Sequence, residues 1–254
     1  MKRLILLFLL QLTILSVSAS DAVFFVQLTD THFGQAGNAQ RTQAAVAAIN
    51  ALPMDIAFVA VTGDIMNNCI TDSNAVNEAR GIFDELKKPV YFVPGNHDLL
   101  KSAPEETAAI FTNRFGPLIL SVEYGGVDFV FVCTEPLAGG AQIAGYDPLK
   151  ELDSRLTDRP AVIFHHTPAA GDFYNPKRKG WGRSPDGRRW IELLNRHPVK
   201  AVIAGHFHRD EFCWLGAVPL YICPPVSARS DQQAAFRVYQ YQDGRVSYRT
   251  QYLE

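Results

Sequence analysis

Short apolar segments that end in a polar cluster recur along the first half of this chain. Residues 23–28, 56–61 and 90–93 are rich in β-branched and aromatic side chains, and aspartate, asparagine or histidine lies within the few residues after each segment. Such runs are typical of strands buried on both faces. Apolar residues at helical spacing over 40–52 and 75–86 separate them,. Strands that alternate with helices predict an α/β fold with a largely parallel sheet.

The second half of the chain adds antiparallel strands to this pattern. Gly125 and Gly126 join the predicted strands 121–124 and 127–132, which predicts a tight hairpin,. Two more helices and two more strands are predicted over residues 148–156, 186–194, 161–164 and 201–204. The C-terminal segments predict meander strands that pack a second sheet, over residues 219–222, 236–241 and 246–252,.

The first twenty residues have the layout of an export signal. Lys2 and Arg3 precede an apolar run over residues 4–15, and small residues follow at 16–20,. The run is shorter than the roughly 20 apolar residues that span a bilayer. We therefore expect residues 1–20 to be a signal peptide and residues 21–254 to form one domain. The mature protein would be periplasmic or secreted, with no transmembrane segment; an uncleaved anchor is the alternative.

The near-neutral charge of the chain excludes one class of partner. The sequence has 24 basic and 26 acidic side chains and a formal charge of −2. A dedicated nucleic-acid binder needs a basic surface that displaces counterions from phosphates, so no nucleic-acid partner is expected. The four cysteines lack the spacing of a zinc ribbon or a redox pair, and a disulfide between Cys213 and Cys223 stays open,.

The polar residues at the strand ends are of the types that bind transition metals. They are Asp30, His32, Asp64, Asn96, His97, His165, His206 and His208. Ligands of open α/β sheets bind at the carboxyl ends of strands, and buried carboxylates need a compensating positive charge. Mixed carboxylate, imidazole and amide ligands suit Mn, Fe, Zn or Co better than Ca or Mg. Two such ions bridged by Asp64 would clamp a phosphoryl group, whereas capping and turn formation are the alternative uses of these side chains.

These clusters resemble the calcineurin-like metallophosphoesterases, whose five sequence blocks occur here in order. The blocks are D-x-H at 30–32, G-D at 63–64, G-N-H-D at 95–98, a histidine at 165 and G-H-x-H at 205–208. The resemblance covers residues 23 to about 212. It implies a four-layer α/β/β/α sandwich of two mixed sheets flanked by helices. It also implies hydrolysis of a small phosphoester by a hydroxide that bridges two divalent or trivalent transition metal ions.

The resemblance further implies a role for each residue of the blocks. One ion would be held by Asp30, His32, Asp64 and His208, and the other by Asp64, Asn96, His165 and His206. His97 would act on the leaving group as an acid or hydrogen-bond donor, and Asp98 would fix the tautomer of His97. His166 would contact the substrate or support a ligand from behind, although a packed polar residue is an equal alternative.

A basic segment after His165 is expected to influence the choice of substrate. Residues 172–190 contain six basic and two acidic side chains with aromatic residues between them. Trp181 and Arg183, together with His166, are the candidate substrate contacts, and a solvated basic loop is the alternative. Resemblance to the phosphodiesterase branch favours phosphodiesters such as cyclic nucleotides or glycerophosphodiesters. A phosphomonoesterase is the second hypothesis, and a metal-binding protein without catalysis is the third.

Overall fold

The computed structural model describes residues 22–227 and 233–253, so the predicted signal peptide lies outside the described residues. In chain order the described elements are β1 (Val23–Leu28), α1 (Asn38–Asn50), β2 (Ile56–Thr62), α2 (Ser73–Phe83), β3 (Val90–Val93), α3 (Pro104–Arg114), β4 (Ile119–Tyr124), β5 (Val127–Val132), α4 (Pro148–Asp153), β6 (Ala161–Phe164), α5 (Pro185–Arg196), β7 (Val199–Ala204), β8 (Glu211–Leu215), β9 (Val218–Ile222), β10 (Ala235–Gln242) and β11 (Arg245–Tyr252).

The first sheet has the strand order β11-β10-β1-β2-β3. Strands β1, β2 and β3 are parallel, as the sequence predicts, and β10 pairs antiparallel with β1. The prediction that the last two strands pack the second sheet is wrong, because β10 and β11 extend this first sheet. Since β1 is buried along almost its whole length, its second edge needs hydrogen-bonding partners, and β10 supplies them,.

The second sheet has the order β4-β5-β6-β7-β9-β8, with parallel pairing from β5 to β9 and antiparallel strands at both edges. The predicted hairpin joins β4 to β5, and Gly125 and Gly126 both have positive φ, as a two-residue turn of this kind requires,. Strand β8 was not predicted. Phe212 and Trp214 are exposed on this edge strand, so it lacks the continuous apolar run that marks a buried strand.

The two sheets pack face to face through an aromatic layer. The ring of Phe25 lies 5.2 Å from that of Phe58 and 5.3 Å from that of Phe129, with Phe164 against the same cluster. Helices α1, α2 and α3 cover the outer face of the first sheet, and α4 and α5 cover that of the second. The fold is therefore the four-layer α/β/β/α sandwich that the resemblance implies.

Helix α3 is a second element that the sequence pattern missed. Pro104 stands at its start, Glu105 and Glu106 lie in its first turn, and Arg114 lies in its last turn. These are ordinary helix-boundary signals, but only a narrow stripe of side chains is buried,.

Within residues 22–227 and 233–253, no helix combines the length and apolar character that crossing a membrane requires. All four cysteines are free, so Cys213 and Cys223 are not joined.

Candidate metal centre

The loops that follow β1, β2, β3, β6 and β7 converge at one end of the two sheets. Backbone hydrogen bonds tie the first two loops together, since the Asp30 and His32 amides donate to the Gly63 and Asp64 carbonyls at 3.0 Å each. The amide of Gly205, after β7, donates to the carbonyl of His166, after β6, at 3.1 Å. Backbone hydrogen bonds therefore connect the loops that carry the predicted ligands, within each of the two sheets.

Five predicted ligands have a strained backbone. Asp30, His32, Asp64, His206 and His208 have φ between 47° and 73°, in the left-handed region that costs a residue with a Cβ roughly 1 kcal/mol or more,. Strain of this kind persists only where the surrounding structure enforces it, and it concentrates at functional sites. Backbone geometry therefore marks the same residues as the sequence motifs.

One group of ligand atoms consists of Asp30, His32 and His208. The Nε2 atom of His208 lies 3.0 Å from Oδ1 of Asp30 and 3.3 Å from Nε2 of His32. The other oxygen of Asp30, Oδ2, accepts hydrogen bonds from the Thr29 hydroxyl at 2.8 Å and the His206 amide at 3.0 Å. The carboxylate is thus fixed by one oxygen and directs the other toward the two imidazoles.

A second group consists of Asp64, His166 and His206. The Nδ1 atom of His166 donates to the carbonyl of Thr62 at 2.8 Å, which leaves its Nε2 atom 3.2 Å from Oδ2 of Asp64. The same oxygen lies 3.7 Å from Nε2 of His32 in the first group. Asp64 therefore directs one oxygen between both groups, which is a position from which a carboxylate can bridge two ions.

The structure places His166, and not His165, among the ligand atoms. The amide of His165 still donates to Ile203 at 3.1 Å, so the pairing of β6 with β7 continues one residue beyond Phe164. Because side chains alternate along a strand, His165 faces the helix-covered side, where its ring lies 5.7 Å from that of Trp190,. The expectation that the first histidine after the strand is the ligand is corrected accordingly.

The side-chain chemistry of the two groups fits metal cations. Oδ1 of Asn96 is buried and has no hydrogen-bond partner among the described residues. Oδ1 of Asp30 and Nε2 of His166 lie against other candidate ligands, His208 at 3.0 Å and Asp64 at 3.2 Å. Because a buried polar atom normally needs a partner, an unpaired acceptor beside these ligands fits a cation site. Asn96 lies in the loop after β3, as predicted for a ligand of the second ion.

Electrostatics within the cluster give its histidines different protonation states. Burial lowers the pKa of His32 and of His206 to about 4, so both imidazoles are neutral near pH 7,. Burial pushes the pKa of Asp64 upward, but the charge and hydrogen bond of His166 outweigh it and bring the pKa to about 2. For His166, burial favours the neutral ring, but Asp64 and Asp30 raise its pKa well above the usual value. The positive charge of protonated His166 offsets the two carboxylates, and a cation that binds at Nε2 would replace that proton.

His97 is held at the edge of the cluster by Asn68. Its Nδ1 atom lies 2.9 Å from Oδ1 of Asn68, and the Asn68 amide donates to the His97 carbonyl at 3.2 Å. Its Nε2 atom lies 3.9 Å from Oδ2 of Asp64. Asn68 was not identified from the sequence, because a single asparagine after the G-D block has no motif of its own; its positive φ of 59° is visible only in the structure.

The predicted role of Asp98 is corrected by the structure. Its carboxylate accepts three backbone hydrogen bonds, from Ile65 at 3.1 Å, Met66 at 2.7 Å and Gly95 at 2.8 Å. Both oxygens are engaged in this way, while the ring nitrogen Nδ1 of His97 is bonded to Asn68. Asp98 therefore fixes the loops after β2 and β3 to each other, and Asn68 is the residue that orients the imidazole.

Two motif glycines are required by close packing. A Cβ atom on Gly95 would overlap the carboxylate and the backbone nitrogen of Asp64, and one on Gly205 would overlap the side chains of Thr29 and Asp30. Both glycines therefore let a neighbouring loop lie directly against a predicted ligand.

The basic segment contributes differently from the prediction. Trp181 is buried, donates its indole N–H to the Thr167 carbonyl at 2.9 Å and packs in the helix-side core, so it is not a substrate contact. Arg183 is exposed and lines a cavity of about 530 Å³ beside the metal centre. Arg178 and Arg209, which the sequence did not single out, line the small cavity of about 90 Å³ over the ligands.

Comparisons with known proteins agree with the fold. A family model described as calcineurin-like phosphoesterase matches residues 25–210. The chain is 26% identical over 217 residues to the mouse serine/threonine-protein phosphatase CPPED1, covering 74% of this chain and 70% of that protein. It is 27% identical over 226 residues to a probable cyclic nucleotide phosphodiesterase of Rhodopseudomonas palustris, covering 78% and 76%. A crystal structure of a dimetal phosphatase from Danio rerio superposes with a TM-score of 0.64 at 16% identity, covering 91% of this chain and 99% of that one.

Proposed function

The chain belongs to the calcineurin-like phosphoesterase family, the members of which hydrolyse phosphoric esters, and on this premise we propose that it is a phosphodiesterase that uses two transition metal ions. The observation that carries the proposal is the position of Asp64 Oδ2, which lies 3.7 Å from His32 Nε2 and 3.2 Å from His166 Nε2. One oxygen that faces two groups of ligand atoms is an arrangement by which a carboxylate bridges a pair of ions.

The residues assign a ligand set to each ion. The first set is Asp30, His32, Asp64 and His208, and the second is Asp64, Asn96, His166 and His206. When bound, Mn, Fe, Zn or Co ions at these sets would supply a hydroxide nucleophile near neutral pH and offset negative charge at phosphorus. The hydrogen bond from Nδ1 of His166 to Thr62 fixes the tautomer with Nε2 free to bind, which is the usual support of a metal-bound histidine,.

His97 is positioned to protonate the leaving group. Its side chain is 19% exposed, lines the cavity over the ligands and is oriented by Asn68. An alkoxide is a poor leaving group, so a proton donated to the departing oxygen contributes most with unactivated diesters. The phosphodiesterase relative supports this choice of substrate, and the phosphatase relatives support the alternative, a phosphomonoesterase.

The test compares a diester with a monoester on protein loaded with one metal at a time. Metal-free protein is reconstituted with Mn, Zn, Fe or Co and assayed with bis(p-nitrophenyl) phosphate and p-nitrophenyl phosphate, which release the same leaving group. We expect a higher kcat/KM for the diester. A higher value for the monoester establishes the alternative, and no turnover with any metal rejects the catalytic proposal.

The choice between His165 and His166 as a ligand has its own test. His166→Ala should lose about one of two bound ions in elemental analysis, because its Nε2 atom faces Asp64. His165→Ala is the matched control: it should keep both ions and lose thermal stability, because its ring fills a site beside Trp181 and Trp190,. Loss of an ion from the His165 variant alone would restore the original assignment.

We further propose that residues 1–20 direct export. The support is the basic start, the apolar run and the small residues that follow it,. Expression of the full chain in a bacterium, followed by mass spectrometry of the periplasmic fraction, should give a mature chain that begins at residue 20 or 21. An intact N-terminus on membrane-bound protein would indicate an anchor instead.

A further inference from the structure

We propose that Arg178 and Arg209 form an anion-binding rim beside the metal centre and select phosphoesters that carry a second anionic group. This inference rests on the proposed function, because the reacting phosphoryl group would lie over the metal ligands. The two arginines and the residues that hold them belong to the basic loop 172–178 and to the segment directly after the G-H-x-H block.

Both arginines line the cavity over the candidate metal ligands. Arg178 and Arg209 line the cavity of about 90 Å³ together with Asp64, His97 and His206. Arg178 also lines the adjoining cavity of about 530 Å³. A substrate bound over the metal ligands would therefore meet Arg178 as it extends toward the larger cavity.

Asp172 holds the two arginines in place. Its side chain is fully buried, with Oδ2 3.9 Å from Nη1 of Arg178 and Oδ1 3.7 Å from Nη1 of Arg209. The same carboxylate accepts hydrogen bonds from the amides of Tyr174 and Asn175 at 2.9 Å each, and the Asp172 amide donates to the Arg178 carbonyl at 2.9 Å. Loop 172–178 is thus held together by hydrogen bonds around the buried Asp172 carboxylate, which lies close to the guanidinium groups of both arginines.

The arginines keep donors for a ligand. Their ion pairs with Asp172 are longer than hydrogen bonds, and their side chains are 48% and 31% exposed. The Arg209 guanidinium also lies over the ring of Tyr174, 5.1 Å from its centroid, which limits its freedom,. A guanidinium that is oriented but not saturated offers two parallel N–H groups to a phosphate or carboxylate.

Neighbouring acids limit how the rim can recognise an anion. Glu211 lies 3.9 Å from Nε of Arg209, and Asp172 is close to both arginines, so much of the positive charge is offset. Attraction over long distance is therefore weak, and recognition would depend on direct hydrogen bonds. The rim should thus select for a second anion at a defined position rather than for negative charge in general.

The larger cavity suits the organic part of such a substrate. Its lining includes the apolar side chains of Ile191 and Leu215 and the exposed ring of Trp214, which is 59% exposed. Lys179 and Arg183 line this cavity together with Arg178. The substrate class that fits is a phosphodiester whose organic group bears a further phosphate.

The experiment uses two diesters with the same leaving group. Thymidine 5′-(p-nitrophenyl phosphate) and its 3′-phosphorylated form both release p-nitrophenolate, so only the second anion differs. On metal-loaded enzyme we expect kcat/KM to be roughly tenfold or more higher for the 3′-phosphorylated form, the size of one charge-assisted hydrogen bond. Arg178→Gln and Arg209→Gln should each reduce this ratio, mainly through KM.

The control variant is Arg189→Gln. Arg189 is an exposed arginine of α5 that pairs with Asp186 at 3.3 Å and lines neither cavity, so its variant should keep the wild-type ratio. A second measurement does not depend on turnover: calorimetry on metal-free protein should show tighter binding of thymidine 3′,5′-bisphosphate than of thymidine 5′-phosphate. Arg178→Gln should remove that difference.

The outcomes separate this inference from the proposed function. If neither ester is hydrolysed with any metal, the proposed function fails, while calorimetry still decides whether the rim binds the second phosphate. If both esters are hydrolysed with equal kcat/KM, or if the arginine variants lower both values equally, the rim proposal is wrong and the catalytic one stands.

Discussion

Removing Asp210 from its ion pair with Arg237 should destabilise the protein more than removing Arg237 does. Arg237 on β10 is fully buried, and its guanidinium lies 2.5 Å from Asp210, two residues after His208; Asp210 is 40% exposed. Asp210→Ala leaves a buried cation without its anion, which costs about 3–5 kcal/mol. Arg237→Met leaves a partly hydrated carboxylate that Thr250 and Tyr248 still contact, which costs about 1–2 kcal/mol,.

The double variant distinguishes this reasoning from simple additivity. Because Arg237→Met removes the buried charge that makes Asp210→Ala costly, the double variant should be about 2 kcal/mol more stable than Asp210→Ala alone. Urea unfolding of the metal-free protein measures all three free energies, and a melting scan should show about 2–4 °C per kcal/mol. The exposed pair Lys88 and Asp55 is the control, since Asp55→Ala should cost at most about 1 kcal/mol,. A double variant that is the least stable of the three would refute the argument.

Two further predictions concern the centre and its surroundings. Asn68→Ala should lower kcat by about tenfold and leave two bound ions, because it removes the partner of His97 Nδ1 and no metal ligand; a lost ion in elemental analysis would contradict this,. Burial raises the pKa of Glu135 to about 7 in the folded protein, so the contribution of Glu135 to the stability of the metal-free protein should fall as pH rises from 4.5 to 7,. Glu135→Gln keeps an acceptor for the Thr167 hydroxyl, and its free energy of unfolding should rise by roughly 2–3 kcal/mol relative to that of wild type between pH 4.5 and pH 7,. Urea unfolding at several pH values measures this difference, and a difference that does not change with pH would refute the shifted pKa.

The sequence predicted the central strands well because each is buried on both faces. Strands β1, β2, β3, β5 and β6 are apolar except for Gln27, Thr62 and Asp128, and a largely apolar run is a strong signal at any position in a sheet,. Strand β8 lacks such a run because it is an edge strand with two exposed aromatic residues. The sheet to which β10 belongs was predicted wrongly, because pairing partners distant in the chain have no local signal.

In the candidate site, too, the residues marked by local sequence motifs were predicted, whereas contacts between distant parts of the chain were not. The motif positions placed Asp30, His32, Asp64, His206 and His208 in one cluster, since each follows a strand that ends at the same edge.

The pairing of β6 with β7 extends one residue beyond the predicted strand, and this difference places His166 instead of His165 among the candidate ligand atoms. Because His165 still pairs with Ile203, its side chain follows the alternation of the strand and lies on the face opposite to that of Phe164. The apolar run ends at Phe164, so the sequence does not show that the pairing continues. Asp98 stands beside His97 in the chain, but its carboxylate binds amides of two loops, one of them distant in sequence. Trp181 has the composition of a stacking residue, yet it is buried beside Trp190.

The pairing of β1 with β10 has a consequence for synthesis of the chain. Strand β1 leaves the ribosome well before β10, the strand that covers its second edge. During translation the nascent β1 therefore presents an uncovered edge until β10 has been made, which is the condition under which strands associate with wrong partners. His32 and His208, 176 residues apart, likewise meet only after the chain between them has been made, so a metal ion cannot find its complete ligand set earlier.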